Sequence, residues 1–137
     1  PSDKGLIPWL QPADDGLDLV IAQGADVKSM RLARENLFHF IARYWRSPRN
    51  ERSHYKFDYQ KLFRIAVDRG IDIEQKNTDA LTPLWVAMHA NNFRAFKKLL
   101  EAGADTEVKN PDGKHLREAC GEMGRKLLLG LIEGEAK

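Results

Sequence analysis

Apolar residues along this chain fall into short helical stripes separated by turn signals. The clearest stripe is Phe93, Phe96, Leu99 and Leu100, at steps of three, three and one. That spacing predicts an amphipathic helix, closed by Gly103 where the chain needs positive φ. Just ahead of it, Thr82-Pro83 opens a shorter helix whose buried side is Leu84, Val86, Ala87 and Met88. Proline fits a first helical turn because its missing N–H would have no partner there. Asn91-Asn92 supplies the turn between the two. A similar pair is read at residues 36–42 and 59–69, closed by Gly70, and another at residues 117–122 and 126–132. Near the start, only residues 16–23 read as a helix. Residues 5–12, with Pro8 and Pro12, read as a degenerate opening that forms a short cap.

The helix ends are punctuated alike. Gly70-Ile71-Asp72 and Gly103-Ala104-Asp105 lie 33 residues apart, and Gly24-Ala25-Asp26 lies 46 residues before Gly70, which is one period plus 13. With Thr82-Pro83-Leu84-Trp85-Val86-Ala87, whose proline precedes Gly103 by twenty residues, this resembles the ankyrin-repeat pattern T-P-L-H-x-A … L-L-x-x-G-A-D. Asn36-Leu37-Phe38-His39-Phe40-Ile41-Ala42 resembles the same opening, with His39 in the family's histidine position. Trp85 replaces that histidine in the next unit, so its hydrogen bond to neighbouring loops is expected to be missing there. The resemblance implies an all-α, ankyrin-like helix-turn-helix solenoid with β-turn fingers, one domain over residues 1–137. Its units are residues 1–30 as an N-terminal cap, 31–76 with an insertion at 46–58, 77–109, and 110–137 as a C-terminal cap. Atypical end units suit an array whose ends face water.

Composition narrows the field. At 137 residues, 42% hydrophobic and 31% charged, the chain suits one globular domain with a continuous core. A net charge of +2 does not by itself call for nucleic acid or a membrane. Cys120 stands alone, which excludes an intramolecular disulfide. No apolar run approaches the ~18 residues of a membrane helix, so no membrane insertion is expected. The expected compartment is cytoplasmic, or periplasmic if a leader was removed before Pro1.

Catalytic patterns are missing from the sequence. It has no phosphate-binding glycine loop, no H-E-x-x-H and no C-x-x-C. No two of His39, His54, His89 and His115 stand at i, i+4. By the resemblance His39 is a structural hydrogen-bonding residue. Cys120 occupies a small-residue position normally filled by buried alanine, which favours packing over pairing with His115 as thiol and base. Asp14-Asp15 read as helix caps. Asp26, Asp72 and Asp105 read as turn residues. No catalytic residue, metal or cofactor is expected. The enzyme alternative would build a site in the enlarged second unit from His39, His54 and Asp58.

One stretch departs from the rest. Residues 43–64 hold seven Lys or Arg against Glu51 and Asp58, an excess of five, which leaves the remainder of the chain at −3. Tyr44, Trp45, Tyr55, Phe57 and Tyr59 are interleaved with those charges. Three readings follow: a solvated structural loop, a docking site for an acidic protein, and, as the least favoured, a nucleic-acid site using stacking and phosphate contact.

In the ankyrin family partners lie across the fingers and the exposed ends of the first helices. Carried over by position, that surface comprises Leu32, Ala33 and Glu35; Lys76, Thr78, Asp79 and Leu81; and Lys109, Pro111, Asp112 and Lys114. The helix ends add Arg43 and Tyr44, His89 and Ala90, and Glu122 and Met123. Arg46, Arg49 and Arg52 join it from the insertion, with Tyr44 and Trp45 as aromatic anchors. The expected function is a non-enzymatic protein-binding module, monomeric apart from its partner. It is similar to small bacterial ankyrin proteins, some of which are immunity or inhibitor proteins that neutralise a cognate toxin or enzyme.

Overall fold

A computed structural model describes residues 15–45 and 57–135. Among the described residues the chain is all-α, with eight helices and no strand. Two short helices come first, α1 (Asp18–Ile21) and α2 (Lys28–Leu32). Three longer pairs follow: α3 (Leu37–Tyr44) with α4 (Tyr59–Asp68), α5 (Pro83–His89) with α6 (Phe93–Glu101), and α7 (Leu116–Glu122) with α8 (Lys126–Glu135). The members of each pair pack together. The pairs join one another through α3 against α5 and α6 against α8.

The turns between helices repeat bond for bond. Ile71 N–H donates to Ala66 C=O (3.1 Å), and Ala104 N–H to Leu99 C=O (3.0 Å), one 33-residue step later. The same bond occurs 46 residues earlier, from Ala25 N–H to Val20 C=O at 3.0 Å. Asp26, Asp72 and Asp105 each accept from the N–H two residues on, at 3.2, 2.9 and 2.8 Å. This local bond is why a short carboxylate suits all three places. Asn77 and Asn110, also 33 apart, each donate their N–H across a tight turn, to Leu81 and Lys114 C=O respectively, at 3.0 Å. Each side-chain oxygen then accepts from the far side of the same turn, from Leu81 N–H (3.0 Å) and Lys114 N–H (2.8 Å). Both turns pass through a residue of positive φ, Ala80 at 60° and Gly113 at 81°.

The core follows from which helix faces are apolar. α5 is buried from Pro83 to Met88, and α3 from Leu37 to Ala42. Helices apolar on nearly every side must lie between neighbours. α6 buries Ala95, Phe96, Leu99 and Leu100. Phe93, expected in that stripe, is 39% exposed. It is the first helical residue and, at 100° per residue, sits at the stripe's edge, while Ala95 falls inside it.

The starts of α3, α4 and α6 are capped by side chains. Asn36 accepts from Phe38 and His39 N–H, and His39 Nδ1 in turn accepts from Asn36 N–H at 3.1 Å, a reciprocal capping box. Asn92 accepts from Ala95 N–H and Asp58 from Lys61 N–H. Trp85 corrects one expectation. Its Nε1–H donates to Val108 C=O at 2.8 Å, so a bond to the following loop is made despite the loss of histidine. What the indole cannot do is accept, since it carries one donor and no acceptor. Thr82 Oγ1, buried at the start of α5, has no hydrogen-bond partner among the described residues.

The first segment differs most from expectation. A helix over residues 16–23 shrinks to the four residues of α1, and α2 was not foreseen. Asp15, expected as a helix cap, instead bonds in the turn before α1, accepting from Leu17 N–H at 3.0 Å, and it pairs with Arg31 at 2.8 Å. Asp14 and the short cap at residues 5–12 lie outside the described residues.

Candidate binding surface

Spacings of 46 and 33 residues align the ends of the first helices. Arg43, His89 and Glu122 hold one equivalent place, and Tyr44, Ala90 and Met123 the next. Tyr44 is 47% and Met123 40% exposed, so this row presents apolar side chains to water. On the turns, Lys76, Thr78, Asp79, Lys109, Pro111 and Asp112 are exposed, and Leu81 and Lys114 are half-buried. At the corresponding place before α3, Leu32 is 52% exposed.

The turn at residues 77–81 is fixed from beneath. Glu35, placed on the surface by sequence reasoning, is instead only 3% exposed. Its carboxylate receives Arg43 Nε at 3.0 Å and Nη2 at 2.5 Å, and Asn77 Nδ2 at 2.8 Å. Burial alone would push this carboxyl up. The hydrogen bonds from Arg43 and Asn77 outweigh it and hold Glu35 below the usual carboxylate range. Arg43 is raised chiefly by its bond to Glu35. With Glu35 buried and Arg43 partly exposed, the pair gains little net stability after desolvation, but removing Arg43 strands a buried charge. Its role here is to set the position of the turn.

Two further ties act on the same loop. Thr78 N–H donates to Ala33 C=O at 2.9 Å, and Gln75 Nε2 donates to Arg34 C=O. His39 supplies the third. With Nδ1 occupied by Asn36 N–H, its Nε2–H donates to Leu81 C=O at 3.2 Å. Burial pushes the His39 imidazole down, against the opposing pull of Leu81 and Glu35.

Glu35 and His39 act on stability with the same sign. A carboxylate held low contributes stability above its unfolded value, lost as pH falls through the folded one. An imidazole held low is neutral in the fold, so below its unfolded value of 6.5 the unfolded chain binds the extra proton. Stability is therefore expected to fall as pH drops from 6.5 into the carboxylate range. In melts taken across that interval, His39→Gln should flatten the upper part of the slope. A wild-type melting temperature independent of pH there would contradict the network.

The last turn is tied less deeply. Lys114 pairs with Glu122 in the open, and the Glu122 bond raises its ammonium. Arg125 donates to Met88 and His89 C=O, both at 3.2 Å, joining the end of α5 to the start of α8. Burial, then Arg125, push His89 down.

The basic stretch divides in two. Arg46, Arg49, Arg52, His54 and Tyr55 lie outside the described residues, as does most of the insertion at 46–58. The aromatics at its edges are packed inward. Trp45 is 8% exposed and stacks on Tyr59 at 6.3 Å and 18°. Phe57 meets Phe40 edge-on at 5.4 Å. Those rings join α3 to α4 and leave Tyr44 as the exposed aromatic of this group.

Of the residues weighed for catalysis, His39 and Asp58 are held in the structural bonds described. Cys120 is fully buried, and burial pushes its thiol up. No three metal-ligating side chains converge among the described residues. No helix among them is long and apolar enough to cross a membrane. No protein-family model and no curated protein sequence matches the chain.

Proposed function

We propose that the chain is an ankyrin-like solenoid with β-turn fingers, and that it acts as a non-enzymatic module binding another protein across those fingers and the ends of α3, α5 and α7. One observation carries this reading. The turns at 77–81 and 110–114 share the same internal bonds one period apart, yet Lys76, Thr78, Asp79, Lys109 and Asp112 project from them exposed. A turn whose backbone is already held by internal bonds has less entropy to lose on binding, which favours recognition. The neighbouring Tyr44 and Met123 add the apolar contact that interfaces place near their centre. We extend the proposal, by analogy of architecture alone, to an immunity or inhibitor protein that occupies a cognate toxin or enzyme.

The reading is tested by capture from a lysate of the source organism on the immobilised chain, with a Lys76, Asp79, Lys109 and Lys114 variant in parallel. A protein retained by the wild type and lost by the variant supports it. Retention of nucleic acid alone, released by charge reversal at Arg46, Arg49 and Arg52, would transfer function to the basic insertion. Turnover of a small substrate abolished by changes at His39, His54 and Asp58 would show an enzyme instead.

A further inference from the structure

Among the described residues, the outer side of α8 leaves one large apolar side chain uncovered at its edge. Leu127 is 74% exposed, more than any other large hydrophobic among the described residues. The helix turns Leu128 and Ile132 into the core. At 100° per residue its opposite side carries Lys126, Gly130, Glu133 and Gly134, with Leu127 and the half-buried Leu131 along one edge. A Cβ at Gly130 or Gly134 would meet nothing within 4 Å, so packing among the described residues explains neither glycine, although glycine weakens a helix interior. Lys126 and Glu133 make no ion pair among the described residues. Seven residues of helix separate them by about 10.5 Å, too far to pair with each other.

We propose that α8 pairs antiparallel with α8 of a second copy of this chain. A two-fold axis across the helix midpoint is isologous. It sets Lys126 of each copy against Glu133 of the other, and lays Leu127 and Leu131 against their counterparts. The unfilled surface over Gly130 and Gly134 admits the neighbouring helix closely. A parallel pairing would oppose like charges, so charge selects the antiparallel one. None of the turn residues in the proposed binding surface belongs to α8, so this inference stands or falls apart from that one. A single helix pair buries less than the ~1,200 Å² of a standard interface, so the dimer is weak.

Sedimentation velocity of the full chain from about 10 to 500 µM, the range a small interface calls for, provides the test. The wild type should shift from monomer toward dimer, and Leu127→Asp should stay monomeric throughout with an unchanged melt. Lys126→Glu or Glu133→Lys alone should weaken dimerisation by about tenfold, because each turns two exposed attractions into two repulsions. The double exchange should restore it. A wild type monomeric at every concentration, a dimer indifferent to Leu127→Asp, or an exchanged pair no tighter than the single variants would each overturn the proposal.

Discussion

Replacing Leu99 with alanine is expected to lower the unfolding free energy by about 2–5 kcal/mol. Leu99 is fully buried, and α6 packs on α5 and α8 and touches α3. The loss combines the transfer energy of the missing side-chain atoms with the cavity left between helices that cannot all close over it. Against a total stability of roughly 5–15 kcal/mol, this is a large fraction. It should lower the melting temperature by on the order of 10 °C. Because α6 touches helices of both neighbouring pairs, unfolding should remain a single transition. A melt unchanged within error would mean that α6 faces the other way.

Gly16→Ala should be of comparable size, about 2–5 kcal/mol, for a different reason. Gly16 has φ +74°, and a Cβ there would lie 2.5 Å from Ile71 Cδ1 and 2.9 Å from Leu37 Cβ. The isoleucine terminus can swing aside. The Leu37 Cβ is fixed to the first turn of α3 and cannot. Strain of about 1–2 kcal/mol from the left-handed backbone adds to the overpacking. Gly103→Ala isolates that first contribution. Its φ of +93° is similar, yet nothing lies within 4 Å of its Cβ. It should cost only about 1–2 kcal/mol. Equal penalties at the two glycines, measured by denaturant unfolding, would contradict the close packing of Gly16 on Leu37 and Ile71.

Much of the architecture was legible because period and punctuation agree. Thr82-Pro83, the Gly103 and Gly70 helix ends, and the aspartates after them each do locally what their chemistry favours. The spacing of 33 then carries one solved unit onto the next. The misses each have a physical cause. Phe93 was drawn into a stripe it only borders, since apolar spacing does not separate a stripe's edge from its centre. The bond of Trp85 to Val108 depends on how far an indole reaches into a loop 23 residues away, which no local pattern records. α2 is a single turn between Asp26 and Arg34, too short for periodicity to reveal.

The candidate surface was harder to read for a physical reason. Its exposed residues are those that bond to little, so their identity is free and their pattern weak. The residues that fix it, Glu35 and Asn77, are 42 apart and meet only through the fold. Glu35 and Arg43 likewise stand at opposite ends of α3 and meet along the helix. Trp45 shows the opposite error. An aromatic beside arginines suggested a surface anchor, but Tyr59 and Phe63 lie within stacking distance and draw it inward.

The central claim is that the fingers carry the binding. Titration calorimetry of the captured protein against the Lys76, Asp79, Lys109 and Lys114 variant tests it most directly. Affinity should fall at least about tenfold, or 1.4 kcal/mol, while the variant's melting temperature matches the wild type. An unchanged Kd for that variant, with binding lost instead on charge reversal at Arg46, Arg49 and Arg52, would contradict the account.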